Sequence, residues 1–155
     1  MKVYMMMGIP ASGKSSKSKE FAEKENLQIL SNDEVRIELF GNCDNCFSDY
    51  ENRLVYKTVT ERMEYNLQNR ISFIHDATNV TKRSRKRLLD LCKKYDVEVI
   101  GVVMLTHFEN CIKNNKNRDR KVPEETIHSM AQKCEYPLGS EGFSGLYKIK
   151  DRGVE

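Results

Sequence analysis

Eight residues near the start of the chain, Gly8-Ile9-Pro10-Ala11-Ser12-Gly13-Lys14-Ser15, constrain the fold more than any other stretch. Their spacing is G-x-x-x-x-G-K-S/T, a turn whose glycines let backbone N–H groups point inward at phosphate oxygens. The apolar run "KVYMMM" precedes it and reads as a buried strand, and "KSSKSKEFAEKE" follows with a helical pattern. The positive end of that helix's dipole therefore meets the same anion. In this cradle Gly8, Ser12, Gly13 and Ser16 shape the turn. Lys14 is expected to reach the β- and γ-phosphates of a nucleoside triphosphate such as ATP, and Ser15 to give its hydroxyl to Mg²⁺. A strand on one side and a helix on the other make this an α/β chain.

The rest of the sequence keeps alternating. "LQIL" is a second short strand, and "DEVRIELF" a helix that Ser31 or Asn32 can cap through a side-chain oxygen. A polar loop, "GNCDNCFSD", leads into a long helix in which Tyr50, Leu54, Val59, Met63 and Leu67 form one apolar stripe. "ISFIH" is a third strand. "TKRSRKRLLDLCKKY" is a helix with Leu88, Leu89 and Cys92 on its apolar side. "VEVIGVVML" is nearly all apolar, which predicts a central strand covered on both faces. Two helical stretches, "HFENCIKNNKN" and "VPEETIHSMAQKC", flank a charged break, and "GLYKIK" predicts a last edge strand. Strands alternating with helices give a parallel sheet of four to five strands flanked by helices. With no internal repeat or linker, residues 1–155 read as a single domain, with a short helical lid at about 108–122.

Composition narrows the function less. The formal net charge is only +3, which does not choose a partner. No apolar run approaches the roughly 20 residues of a membrane span. The opening "MKVYMMMG" is too short for a secretion signal, so a cytoplasmic address is expected, with no membrane partner. Five cysteines are expected as free thiols there. Cys43 and Cys46 form one C-x-x-C, whereas a structural zinc site wants four ligands. A GTPase would need a guanine-reading N-K-x-D motif, and "NNKNRDR" lacks that spacing.

Three stretches carry the chemistry of a phosphate acceptor. In "SNDEVRIELFG", Asp33 and Arg36 lie three apart on one helix face, just beyond the second strand, where open α/β sheets bind ligands. A carboxylate there can take the proton of an attacking hydroxyl, and a guanidinium can hold an acceptor phosphate. An ordinary surface ion pair fits the same segment. In "FIHDATNVTKRSRKR", Asp76 ends an apolar strand and can hold Mg²⁺ directly or through water, and Asn79 can bond a loop or substrate. Lys82, Arg83, Arg85, Lys86 and Arg87 then crowd one helix, and so many like charges repel unless an anion sits nearby. In "NNKNRDRKVPEE", Arg118 and Arg120 sit in the charged break, where a lid can close arginines over the transferring phosphate and exclude water.

Taken together, "GIPASGKSS", "SNDEVRIELFG", "DATNVTKRSRKRLL", "NRDRKVPEETI" and "EYPLGSEGFSGLYKI" resemble, in order and from Gly8 to Ile149, P-loop kinases related to the 5′-kinase domain of phage polynucleotide kinase. The resemblance implies the P-loop NTPase fold and transfer of the γ-phosphate of ATP, with Mg²⁺, to a nucleic-acid 5′-hydroxyl. It implies Asp33 as general base, Arg36 on the acceptor phosphate and Arg118 as the lid arginine. Arg120 matches less closely. Asp76 and Asn79 fall in the family's D-x-T-N-like loop, and Arg85 where an arginine commonly follows it. No phosphatase D-x-D-x-T motif is present, and no obligate protein partner is evident. The same scaffold serves small-molecule and sugar-nucleotide kinases, and a non-catalytic nucleotide-binding module is a third reading. The acceptor loops do not choose among them.

Overall fold

β1 (Val3–Met7) is buried at all five positions, so its side chains must be covered on both faces of a sheet. In the computed structural model, which describes residues 1–43 and 47–151, it is the middle strand of five. The others are β2 (Gln28–Ser31), β3 (Phe73–Asp76), β4 (Val99–Leu105) and β5 (Gly145–Lys150), in the spatial order β2-β3-β1-β4-β5. Every neighbouring pair is parallel. Six helices connect them: α1 (Lys14–Glu25), α2 (Asn32–Phe40), α3 (Asp49–Gln68), α4 (Lys82–Lys94), α5 (Phe108–Lys116) and α6 (Glu124–Lys133). A 3₁₀ turn at Gly139–Glu141 precedes β5.

Alternation along β1 divides the core. Val3, Met5 and Met7 pack with Val55, Val59 and Met63 of α3 and with Leu88, Leu89 and Cys92 of α4. Tyr4 and Met6 face the other way, towards Phe21 of α1. A third cluster joins Cys111 of α5, Val122 in the loop before α6 and Ile127 of α6 to Ile9 in the glycine-rich turn. The 108–122 segment is thus anchored on the phosphate cradle by apolar contacts.

β4 is internal, as expected, lying between β1 and β5, while β1 holds the middle of the sheet. One expectation shifts. The stripe of α3 buries Val55 rather than Leu54, with Val59, Met63 and Leu67, while Tyr50, in the first turn, is 68% exposed. Of the two candidate caps on α2, Ser31 does the work: its hydroxyl accepts from the Glu34 N–H at 3.3 Å. Cys46 lies outside the described residues. Among the described residues no helix is long and apolar enough to cross a membrane.

Candidate functional site

Because β1 lies between β3 and β4, the chain passes from one half of the sheet to the other around it, and a crevice opens at the carboxyl ends of these strands. A cleft of about 650 Å³ lies there, with Lys14, Ser15, Asp33, Asp76 and Arg118 on its walls. The turn after β1 needs its glycines for two different reasons. Gly13 adopts φ +91°, a left-handed conformation that side chains disfavour. Gly8 makes room: a Cβ there would stand 2.7 Å from Ser12 Oγ and 2.9 Å from Met104 Cβ. Gly8 N–H is already spent on Thr78 O at 2.9 Å, so this residue seats the turn against the loop after β3.

Lys14 is only 8% exposed, and its ammonium donates to Ile9 O at 3.0 Å. Burial pulls its pKa down to about 8, against the attraction of Asp76 and Asp33. Ser12 Oγ is buried in the same turn with no hydrogen-bond partner among the described residues. A buried orphan hydroxyl beside a desolvated ammonium is the arrangement an anion relieves. Ser15 and Ser16 open the same cleft.

Asp76, at the end of β3, has its pKa raised by burial, with the Lys14 ammonium and the Ser15 hydroxyl pulling the other way. Ser15 and Asp76 therefore bring two hard oxygens together. Mg²⁺ takes such ligands, keeping several waters and needing only one or two protein oxygens beside phosphate. Among the described residues no group of three His, Cys, Asp or Glu side chains gathers elsewhere to hold a metal.

Asp33 projects from the first turn of α2 and is held by two arginines. Arg36 Nη1 donates to Oδ1 at 2.9 Å from the same helix, and Arg120 Nη1 donates to Oδ2 at 2.8 Å from across the cleft. The second guanidinium nitrogen of Arg120 donates to Cys43 O at 2.9 Å. Arg120, expected at the donor phosphates, is therefore engaged by Asp33 and Cys43 instead, and Arg118 lies near enough to Lys14 to act on its charge. Two ion pairs do not saturate the carboxylate, which has about four lone-pair sites.

Three expected substrate contacts do not face the cleft. Arg85 is fully buried: its guanidinium pairs with both Glu141 oxygens, at 2.9 and 3.1 Å, and Nη1 donates to Asn79 O and Glu135 O, each at 3.0 Å. It lies on the same stripe as Leu88, Leu89 and Cys92, the i, i+3, i+4, i+7 face, and that spacing was the signal that it points inward. Asn79 is buried in a left-handed conformation at φ +46°, and its amide donates to Met6 O at 2.8 Å, which ties the loop to β1. Arg83 lines a separate hollow between α3 and α4 with Lys86, Arg87 and Lys94.

The sequence reading also passed over residues that build the site from behind. His75 is buried next to Asp76, with Nε2 3.1 Å from Asn32 Oδ1 and Nδ1 3.3 Å from Asn79 Nδ2. An amide oxygen can only accept and an amide nitrogen only donate, so the ring is neutral with its proton on Nε2. Burial depresses its pKa to about 3. The chain Asn32–His75–Asn79 thereby fixes the start of α2, and with it Asp33, against β3 and β1. Phe47 and Tyr56 also line the cleft, and no motif marked them.

The AAA_33 family model, described as an AAA domain, matches residues 3–137. The chain belongs to the AAA_33 family. It has the P-loop NTPase fold, a five-stranded parallel sheet flanked by helices. Among curated relatives it is similar to an L-seryl-tRNA(Sec) kinase of Methanococcus maripaludis, 24% identical over 133 residues, 86% of this chain and 52% of that one. The chain thus spans about half the length of this relative. Among solved structures it is similar to a chain of the Pnkp1/Rnl/Hen1 RNA repair complex, at 25% identity and TM-score 0.75 over 85% of this chain and 43% of that one. A gluconokinase from Sinorhizobium meliloti 1021 shares the fold at TM-score 0.67 and 14% identity, over 98% of this chain and 83% of that one.

Proposed function

We propose that this AAA_33 kinase transfers the γ-phosphate of ATP to a 5′-hydroxyl end of a nucleic acid. The observation that carries the reading is the meeting of Asp33 and Lys14 in one cleft, close enough for the carboxylate to act on the lysine's charge. The similarity to a chain of an RNA repair complex and to a kinase of a seryl-tRNA supports a nucleic-acid acceptor.

In this reading the glycine-rich turn, Ser12 and Lys14 grip the triphosphate, and Ser15 and Asp76 hold Mg²⁺, which neutralises phosphate charge when bound. Arg36 holds a phosphate of the acceptor. Asp33 takes the proton from the 5′-hydroxyl as its oxygen attacks the γ-phosphorus. The bond to the β-phosphate breaks and ADP leaves. Arg118 faces the transferring group, and α5 with the following loop excludes water. Residues 1–155 act as one kinase domain with 108–122 as its lid.

The test is transfer of label from ATP with Mg²⁺ to 5′-OH RNA and DNA oligonucleotides, in competition with nucleosides and sugars. Labelled oligonucleotide is expected. Asp33→Asn should abolish transfer while leaving the ATP Kd nearly unchanged, and Arg36→Ala should raise the acceptor KM more than the ATP KM. Label on a sugar or nucleoside with none on the oligonucleotides refutes the reading. An equal fall in ATP binding for Asp33→Asn moves that residue to the donor side.

A further inference from the structure

We propose that Tyr56 is the platform on which the 5′-terminal nucleobase of the acceptor stacks. The inference rests on the polynucleotide reading above and names what that reading leaves open: how the end of a strand is held without regard to its sequence.

Two aromatic rings line the cleft that contains Asp33, and they differ in what already touches them. Phe47 is engaged twice. Phe40 packs against it with ring centroids 5.4 Å apart, and the Arg36 guanidinium lies 5.9 Å from its centroid. Its role is to seat Arg36. Tyr56, on α3, is 43% exposed, and among the described residues the group stacked on it is Arg87, whose guanidinium carbon is 4.9 Å from the ring centroid. Arg87 also donates to Tyr56 O at 3.4 Å, so it is bound to the backbone and the ring of the same residue. The ring thus carries a cation while remaining partly exposed on the wall of the cleft.

Arg87 makes this more than an exposed tyrosine. It is half-buried, with burial lowering its pKa, and no carboxylate pairs with it among the described residues. An arginine stacked on an aromatic ring holds that ring in place through their mutual attraction. It also lines the neighbouring hollow with Arg83, so the platform stands between the cleft and a basic surface. Every base offers a π-face, so stacking tolerates any sequence. With Arg36 on a phosphate and Asp33 on the hydroxyl, a base on Tyr56 is the third point that fixes a terminal nucleotide.

The test uses two 5′-OH oligonucleotides that differ only in having a base or an abasic sugar at the 5′-terminal position. For the unaltered protein kcat/KM should favour the base-bearing acceptor by about tenfold, as one base–aromatic stack is expected to give. Tyr56→Ala should erase that preference, and Tyr56→Phe should keep it, since the ring and not the hydroxyl is used. The Kd for ATP, measured on each variant, reports that the fold is intact. If Tyr56→Ala still prefers the base-bearing acceptor, or the unaltered protein treats both alike, the platform is refuted while polynucleotide kinase activity stands. If neither oligonucleotide accepts phosphate, the activity itself is refuted and the platform with it.

Discussion

Replacing Arg85 separates a structural arginine from a substrate-binding one. Its side chain is 1% exposed and makes four hydrogen bonds, two of them to a Glu141 carboxylate that is itself 11% exposed. Glu141 is held below the ordinary carboxylate pKa: burial works against ionisation, but the guanidinium and the Leu138 N–H outweigh it. Arg85→Ala strands that carboxylate and two carbonyls, a change that costs about 3–5 kcal/mol. For a domain of this size each kcal/mol moves Tm by roughly 2–4 °C, so thermal unfolding should fall by roughly 6–20 °C. Replacing both partners by apolar residues, Arg85→Met with Glu141→Met, should recover part of the loss, because neither charge is then left unpaired. Differential scanning calorimetry of the single and double variants reads this directly. Acceptor KM for the folded fraction should hardly move. If Arg85→Ala keeps its Tm and instead raises the acceptor KM, the guanidinium reaches substrate and the structural assignment is refuted.

Lys14→Met should cut transfer by about 10²–10³-fold, the scale for losing one preorganised charge at a reacting group. The same change should raise Tm at pH 7, because burial lowers the Lys14 pKa from 10.5 to about 8. Between those values the unfolded chain binds a proton that the folded chain does not, so the stability of the unaltered protein should climb with pH across that window and the advantage of methionine should fade. His75, with its pKa depressed from 6.5 to about 3, works in the acid range. There too the unfolded chain holds the extra proton, so stability should fall as pH drops from 6.5 towards 3, and His75→Gln should flatten that arm by ~1.4 kcal/mol per pH unit in urea titrations. A slope unchanged by the substitution would remove His75 as its source.

Much of this molecule follows from local chemistry that a sequence carries openly. The eight-residue turn imposes strand, loop and helix around one anion, because only that arrangement aims several N–H groups at one point. Apolar runs and capping residues then mark the other strands and helices nearly to their ends, and parallel order follows from their alternation. What the sequence could not display is which side a charged residue faces when two elements compete for it. Arg85 and Arg83 are two residues apart in one basic run, yet one is sealed against Glu141, 56 positions away, and the other lines a surface hollow. Arg120 reads as a lid arginine, but its partner is Asp33, 87 positions earlier. The pairing of Tyr56 with Arg87 and the chain from Asn32 through His75 to Asn79 join elements that no local pattern connects. Desolvation and partner geometry decide such roles, and both are properties of packed space rather than of neighbours along the chain.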